Sequence, residues 1–184
     1  MMAEMIEVLY VEDNKIDRMA LRRFVEEQRV PYDLTLARSV AEAREILAED
    51  DFDAALIDYL LGDGTAFDLF DDMEDMPFII VTGSGDESIA VEAMRRGARD
   101  YLVKDPDSNY LITLPQTLDA VLTHWRNERQ LERYREHLEE AVAERTAQLR
   151  AVNERLREEI AERERAEEAL RESEEKYKLL AENS

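Results

Sequence analysis

Apolar runs in the first two thirds of the chain tend to end in a polar residue. Ile6–Val11 is followed by Glu12-Asp13. Asp53-Ala-Ala-Leu-Ile-Asp58 closes on a carboxylate. Phe78–Thr82 ends in a hydroxyl before Gly83, and Asp100-Tyr-Leu-Val-Lys104 ends in an amine. Short apolar runs between polar turn residues predict buried strands. Together with one further run, the pattern predicts strands over Ile6–Val11, Asp33–Ala37, Asp53–Asp58, Phe78–Thr82 and Tyr101–Val103. Between them, apolar positions three and four apart predict helices over roughly Ile16–Gln28, Val40–Glu49, Ala66–Met73 and Glu87–Arg96. Ser39 with Glu42 forms a capping box, and Gly97 suits a helix C-cap.

Alternating strands and helices imply a doubly wound parallel α/β sheet. Leu56–Ile57 and Ile79–Val81 are apolar on both faces, as central parallel strands are. In such sheets ligands sit beyond the carboxyl ends of the strands, where strand order reverses. In a flavodoxin-like five-stranded sheet of order 2-1-3-4-5, Glu12, Asp13 and Asp58 border that point.

The pattern changes after Pro115, a residue that fits the first turn of a helix. Neither Gly nor Pro occurs from Gln116 to the end. Leu118, Val121, Leu122 and Trp125 form a stripe suited to packing on the sheet. Beyond Arg126 the apolar residues thin to Leu138, Val142, Leu149, Val152, Leu156, Ile160, Ala166, Leu170, Tyr177 and Leu180, at spacings of three, four or their sums. Such a seam is too narrow to cover a globule and predicts a long helix that pairs with another chain as a coiled coil. A helix running from Pro115 to near Ala181 would be on the order of 100 Å long at ~1.5 Å per residue. Arg145, Glu159, Arg163 and Ser173 interrupt the seam.

Charge divides the chain in the same way. Residues 1–115 carry a net charge of −16 and residues 116–184 a net charge of −5, for −21 in all. A chain this acidic does not bind nucleic acid through a basic field. Without cysteine it has neither disulfides nor thiolate metal sites. With no leader pattern at its start and no apolar run near the ~20 residues that span a bilayer, it reads as soluble, cytoplasmic and not membrane-bound.

If the strand ends share one sheet edge, three carboxylates, a hydroxyl and an amine converge. Mg²⁺ is a hard cation that takes oxygen ligands, and Asp13 and Asp58 suit it, with Glu12 bound directly or through water. Lys104 and Thr82 can then meet a phosphoryl group on Asp58 with a charge and a hydrogen bond. Each feature alone has a plainer reading. Asp13 or Asn14 can cap a helix, Thr82 can be a turn residue, and Lys104 a solvated amine.

Together, and in this order, the features resemble a response-regulator receiver domain of two-component signalling over residues 1–125. The acidic pair matches Glu12-Asp13, the phospho-acceptor Asp58, the hydroxyl residue Thr82 and the lysine Lys104. The resemblance implies that the Leu60 backbone carbonyl joins Glu12, Asp13 and Asp58 in binding Mg²⁺, and that Thr82 and Tyr101 act as switch residues. It implies phosphoryl transfer to Asp58 from a histidine kinase or phosphotransfer protein. Two positions depart from the family pattern. Asp105 stands between Lys104 and Pro106, which bears on whether the Lys104–Asp105 peptide is cis, and Gly62 replaces a common proline.

The tail resembles sensor-kinase linkers, in Glu144-Arg-Thr-Ala-Gln-Leu149 and Glu164-Arg-Ala-Glu-Glu-Ala-Leu170. Its last stretch, from Arg171 to Ser184, resembles the entry helix of a PAS sensor domain. The expected organisation is thus a receiver at 1–125, a coiled-coil signalling helix at 126–172 pairing as a parallel homodimer, and a PAS start at 173–184, within a longer protein. The alternative is a docking and dimerisation adaptor that is never phosphorylated. Enzymatic turnover of outside substrates is not expected. Leu60 stands where related phosphatases carry a second aspartate, no Gly-rich ATP segment occurs, and His124 and His137 lie in no kinase-like phospho-acceptor box.

Overall fold

The computed structural model describes residues 5–73, 75–83, 87–105 and 107–182, with side chains described for all of these except residues 87 and 174–182. Five strands, β1 (Ile6–Val11), β2 (Tyr32–Ala37), β3 (Ala54–Asp58), β6 (Phe78–Thr82) and β7 (Asp100–Val103), form one parallel sheet of order β2-β1-β3-β6-β7. Between β3 and β6 lies a two-stranded antiparallel pair, β4 (Leu60–Leu61) and β5 (Gly64–Thr65). Counting only the long strands, this is the expected 2-1-3-4-5 order.

The helices are α1 (Lys15–Gln28), α2 (Val40–Glu49), α3 (Glu87–Arg95) and α4 (Tyr110–Glu182), with a 3₁₀ helix over Ala66–Met73. Asn14 caps α1, its side chain accepting from Ile16 N at 2.8 Å. The predicted capping box closes α2. Ser39 accepts from Glu42 N at 3.1 Å, and Glu42 reaches back to Arg38 N at 2.7 Å. Gly97 follows α3 at φ +111°, a conformation that favours glycine.

Both sheet faces are covered. Val8, Tyr10, Leu56, Ile79 and Val81 face α1 and the first turns of α4, where Leu21, Val25, Leu114 and Leu118 complete a core. Leu9, Val11, Ala55, Ile57 and Ile80 face α2, the 3₁₀ helix and α3. This double burial accounts for the near-continuous apolar strands.

The sequence places the start of the last helix at Pro115, and the structure corrects this. The helix begins at Tyr110, and Pro115 lies inside it. Asp105 supplies the start signal. Its carboxylate accepts from Asp107 N at 3.0 Å, Tyr110 N at 2.9 Å and the Asn109 side-chain amide at 2.9 Å. Burial of Leu111 and Leu114 then holds the turn before the proline. Pro115 forfeits the bond its N–H would have made to the Leu111 carbonyl and crowds that carbonyl with its ring, a cost the burial of Leu111 and Leu114 offsets. No cis peptide occurs among the described residues, so Lys104–Asp105 is trans.

Two compact units result, Met1–Arg129 and Gln130–Ser184. In the second, the described residues form helix only. Leu138, Val142, Leu149, Val152, Leu156, Ile160 and Leu170 are exposed along it, and short-range ion pairs such as Arg163–Glu167 line its surface. Of the segment expected to open a PAS domain, Asn183 and Ser184 lie outside the described residues, and the side chains of Tyr177 and Leu180 are likewise not described. Among the described residues no helix is long and apolar enough to cross a membrane.

Candidate functional site

Parallel register brings the predicted residues to one edge. Val11 pairs with Ile57, so Glu12 and Asp58 follow side by side on β1 and β3. Asp58 pairs with Val81, placing Thr82 next on β6. Thr82 pairs with Val103, placing Lys104 next on β7. Two backbone bonds tie these ends together. Tyr59 N donates to Val81 O at 3.1 Å, and Lys104 N donates to Thr82 O at 2.8 Å.

Oxygens of Glu12, Asp13 and Asp58 lie within 4.8 Å of one another. Glu12 is fully buried, Asp58 is 9% exposed, and Asp13 faces solvent. Thr82 is buried at the end of its strand. Leu60, two residues past Asp58, is exposed on the β4–β5 hairpin. Tyr101 is partly buried on β7 and packs against the core on the α2 and α3 face. The structure thus joins Glu12, Asp13, Asp58 and Lys104 through their side chains and brings Thr82 in through its strand.

Among the described residues, Lys104 is the cation that meets these carboxylates directly. Its Nζ lies 2.5 Å from Glu12 Oε2, 3.0 Å from Asp17 Oδ2 and 3.3 Å from Asp58 Oδ2. Burial works against its charge, but the hydrogen bond and charge of Glu12, then Asp17 and Asp58, outweigh it and hold Lys104 above the ordinary lysine range. Asp58 is pushed the other way. Burial, and next the Glu12 charge, raise its carboxyl up to about 6 against the pull of Lys104. Carboxylates crowded in a poorly solvated site repel, and a divalent cation relieves that repulsion. The donor set fits a hard cation, since all three carboxylates offer oxygen.

The surroundings fix this geometry. Tyr10, buried on β1, donates its hydroxyl to Glu12 Oε2 at 2.9 Å, and burial, then the Glu12 charge, push its own pKa far above the ordinary range. The second Glu12 oxygen accepts from Asn14 N at 3.1 Å, and Arg18 donates to the Glu12 carbonyl. Beyond Asp58, Asp63 accepts from Val40 N at 2.8 Å and Ala41 N at 3.0 Å, pinning the hairpin to the start of α2. A Cβ at position 64 would lie 2.7 Å from Asp68 Oδ2 and 3.1 Å from Val40 Cγ2, so a larger residue than Gly64 would have to displace the Asp68 carboxylate from its bonds to Thr65.

Tyr10, Asp17 and Asp63 also fix the site, and the strand-end pattern marks none of them. Two of them carried a signal. Tyr10 precedes Glu12 by two residues, so both project from the same face of β1. Asp17 stands in the first turn of the helix that follows the acidic pair. Asp63 acts across 23 residues of sequence, and no local pattern marks it.

The elevated Asp58 value fixes the sign of a pH effect. Above its ordinary value of 3.8, the folded chain holds the proton more tightly than the unfolded chain does. The resulting stability is fully present below about pH 4 and is lost as pH rises through about 6. Chemical denaturation in chelator across this window is expected to show the native chain losing roughly 2 kcal/mol from this group, and Asp58→Asn losing little. An equal slope in both chains would show that Asp58 is not the titrating group.

Residues 8–115 match the family model of the response regulator receiver domain. Among curated relatives, the methanogenesis regulatory protein FilR1 of Methanothrix harundinacea is 35% identical over 127 residues, covering 65% of this chain and 28% of the relative. The response regulator protein PilR of Pseudomonas aeruginosa is 37% identical over 93 residues, covering 48% and 21%. The chain therefore spans about a quarter of the length of these relatives. Among solved structures, a CheY-like receiver domain protein from Methanospirillum hungatei superposes with a TM-score of 0.59 at 21% identity, over 68% of this chain and 99% of that one. A Burkholderia pseudomallei response regulator, solved with a phosphorylated aspartic acid, calcium ion and citrate, gives 0.54 at 24% identity, over 69% and 74%. These two likenesses concern the fold.

Proposed function

Since the chain belongs to the response regulator receiver domain family, we propose that it is a phospho-accepting module of a two-component relay, with Asp58 as the acceptor. One observation carries the reading: Asp58 closes β3 with oxygens of Glu12 and Asp13 within 4.8 Å of its own and with the Lys104 ammonium, itself 2.5 Å from Glu12, 3.3 Å away.

The phosphoryl donor is a phosphohistidine of a histidine kinase or phosphotransfer protein. An Asp58 carboxylate oxygen forms the new bond to phosphorus, the P–N bond breaks, and its electron pair stays on the imidazole. Glu12, Asp13, Asp58 and the Leu60 carbonyl would hold Mg²⁺, as receiver domains generally do through an acidic cluster. That ion supplies charge neutralisation for the phosphoryl oxygens. Lys104 presents one N–H to the same group, and Thr82 offers a hydroxyl from the end of β6. Tyr101, one strand over, shifts with Thr82 and changes the β7 surface. A phosphoryl group favours this state only through contacts it makes better there than in the resting state. No outside substrate is turned over by this segment, which changes only its own phosphorylation.

The same reading assigns residues 1–125 to the receiver, 126–172 to a coiled-coil signalling helix and 173–184 to the start of a PAS-like domain, in a cytoplasmic protein that continues into an output module. The exposed stripe from Leu138 to Leu170 supports pairing with a second copy. Parallel pairing suits a linker that feeds two identical domains.

Two experiments test this. After incubation with acetyl phosphate and Mg²⁺, intact mass is expected to rise by one phosphoryl group in the native chain and not in Asp58→Asn or in chelator. A folded native chain that gains no mass with acetyl phosphate or with a phosphorylated kinase domain would leave the docking-block role in place of this one. For the helix, sedimentation is expected to show a dimer, shifted to monomer by Leu149→Lys with Leu156→Lys. A native monomer at all concentrations would exclude the coil.

A further inference from the structure

The Lys104 ammonium has three N–H bonds and three carboxylate neighbours. Glu12 is nearest at 2.5 Å, Asp17 next at 3.0 Å and Asp58 farthest at 3.3 Å. In this state the lysine leans away from the acceptor. Asp17 differs from its companions. It lies in the first turn of α1 and not at a strand end. Its side chain is 30% exposed, against none for Glu12. It is not part of the Glu12, Asp13 and Asp58 group that could hold a metal. Among the described residues, its one side-chain hydrogen bond is to Lys104.

Glu12 and Asp58 both have other work in the proposed reaction, one toward the cation and one toward the phosphoryl group. Of the three carboxylates, Asp17 alone has neither of these roles, and its side-chain hydrogen bond is to the amine. We propose that Asp17 is a positioning residue that competes with the phosphoryl group for Lys104, and so sets how tightly the site holds an anion on Asp58. The inference rests on the phospho-accepting reading of the site.

Two effects of removing this carboxylate act in the same direction. One Lys104 N–H is freed for the incoming anion, and one negative charge near that anion disappears. The cation site responds in the opposite sense, because a nearby negative charge that favours Mg²⁺ is lost. An acid that served only the helix N-terminus would change stability and shift neither affinity.

The test uses the full chain with beryllofluoride, which mimics an acyl phosphate on a carboxylate. Calorimetric titrations with beryllofluoride in saturating Mg²⁺, and with Mg²⁺ alone, are run on the native chain, Asp17→Asn and Asp17→Glu. Asp17→Ala replaces the Asn variant should that one fold poorly. The expected result is beryllofluoride binding tighter by about threefold or more in Asp17→Asn, in line with a partly exposed ion pair. Mg²⁺ affinity is expected to stay equal or weaken, and Asp17→Glu to stay near the native chain. Native-like or weaker beryllofluoride binding in a folded Asp17→Asn overturns the inference while leaving the phospho-accepting reading intact. A native chain that binds no beryllofluoride in Mg²⁺ overturns both.

Discussion

One ammonium among carboxylates governs this molecule. Lys104 reaches from the end of β7 to Glu12 on β1, Asp17 on α1 and Asp58 on β3. Its charge is what lets four acidic side chains, Asp13 included, gather at one largely buried sheet edge. Parallel register does the placing, since each strand delivers its last polar residue one step beyond the hydrogen-bonded ladder. The compensation is incomplete. Burial first, and then the Glu12 charge, keep Asp58 above its ordinary value despite Lys104, and that remaining repulsion is what a cation at the same edge would relieve.

That cluster also shapes the rest of the fold. Glu12 is held by Tyr10, Asn14 and Arg18, so the start of α1 and the interior of β1 take part in fixing one carboxylate. On the other side, Lys104 adjoins Asp105, whose carboxylate organises the first residues of α4. The residue that meets Asp58 and the residue that starts the long helix are covalent neighbours. A displacement of Lys104 therefore has a short path to the helix start. Asp105, joined to Lys104 by a trans peptide, makes this link through its cap on the helix start.

Much of this was legible in the sequence, because parallel strands buried on both faces are written as apolar runs and their ends as polar residues. Glu12, Asp13, Asp58, Thr82 and Lys104 could be read that way. The less legible parts obey longer-range physics. Pro115 looked like a helix start because local preference favours proline in the first turn, but the Asp105 carboxylate and the buried Leu111 and Leu114 begin the helix five residues earlier. Asp17 stands in the first turn of α1, so a pattern of polar strand ends does not mark it. Asp63, in the loop after the acceptor, holds α2 through backbone contacts that no periodicity reveals.

An edge this short of positive charge is the proposed seat of a divalent cation. Unfolding free energy measured against Mg²⁺ concentration tests it most directly. The account predicts that stability rises with Mg²⁺, by about 1.4 kcal/mol per tenfold increase above the Kd, and that Asp13→Asn with Asp58→Asn abolishes the rise. Identical stability in chelator and in saturating Mg²⁺ would contradict it.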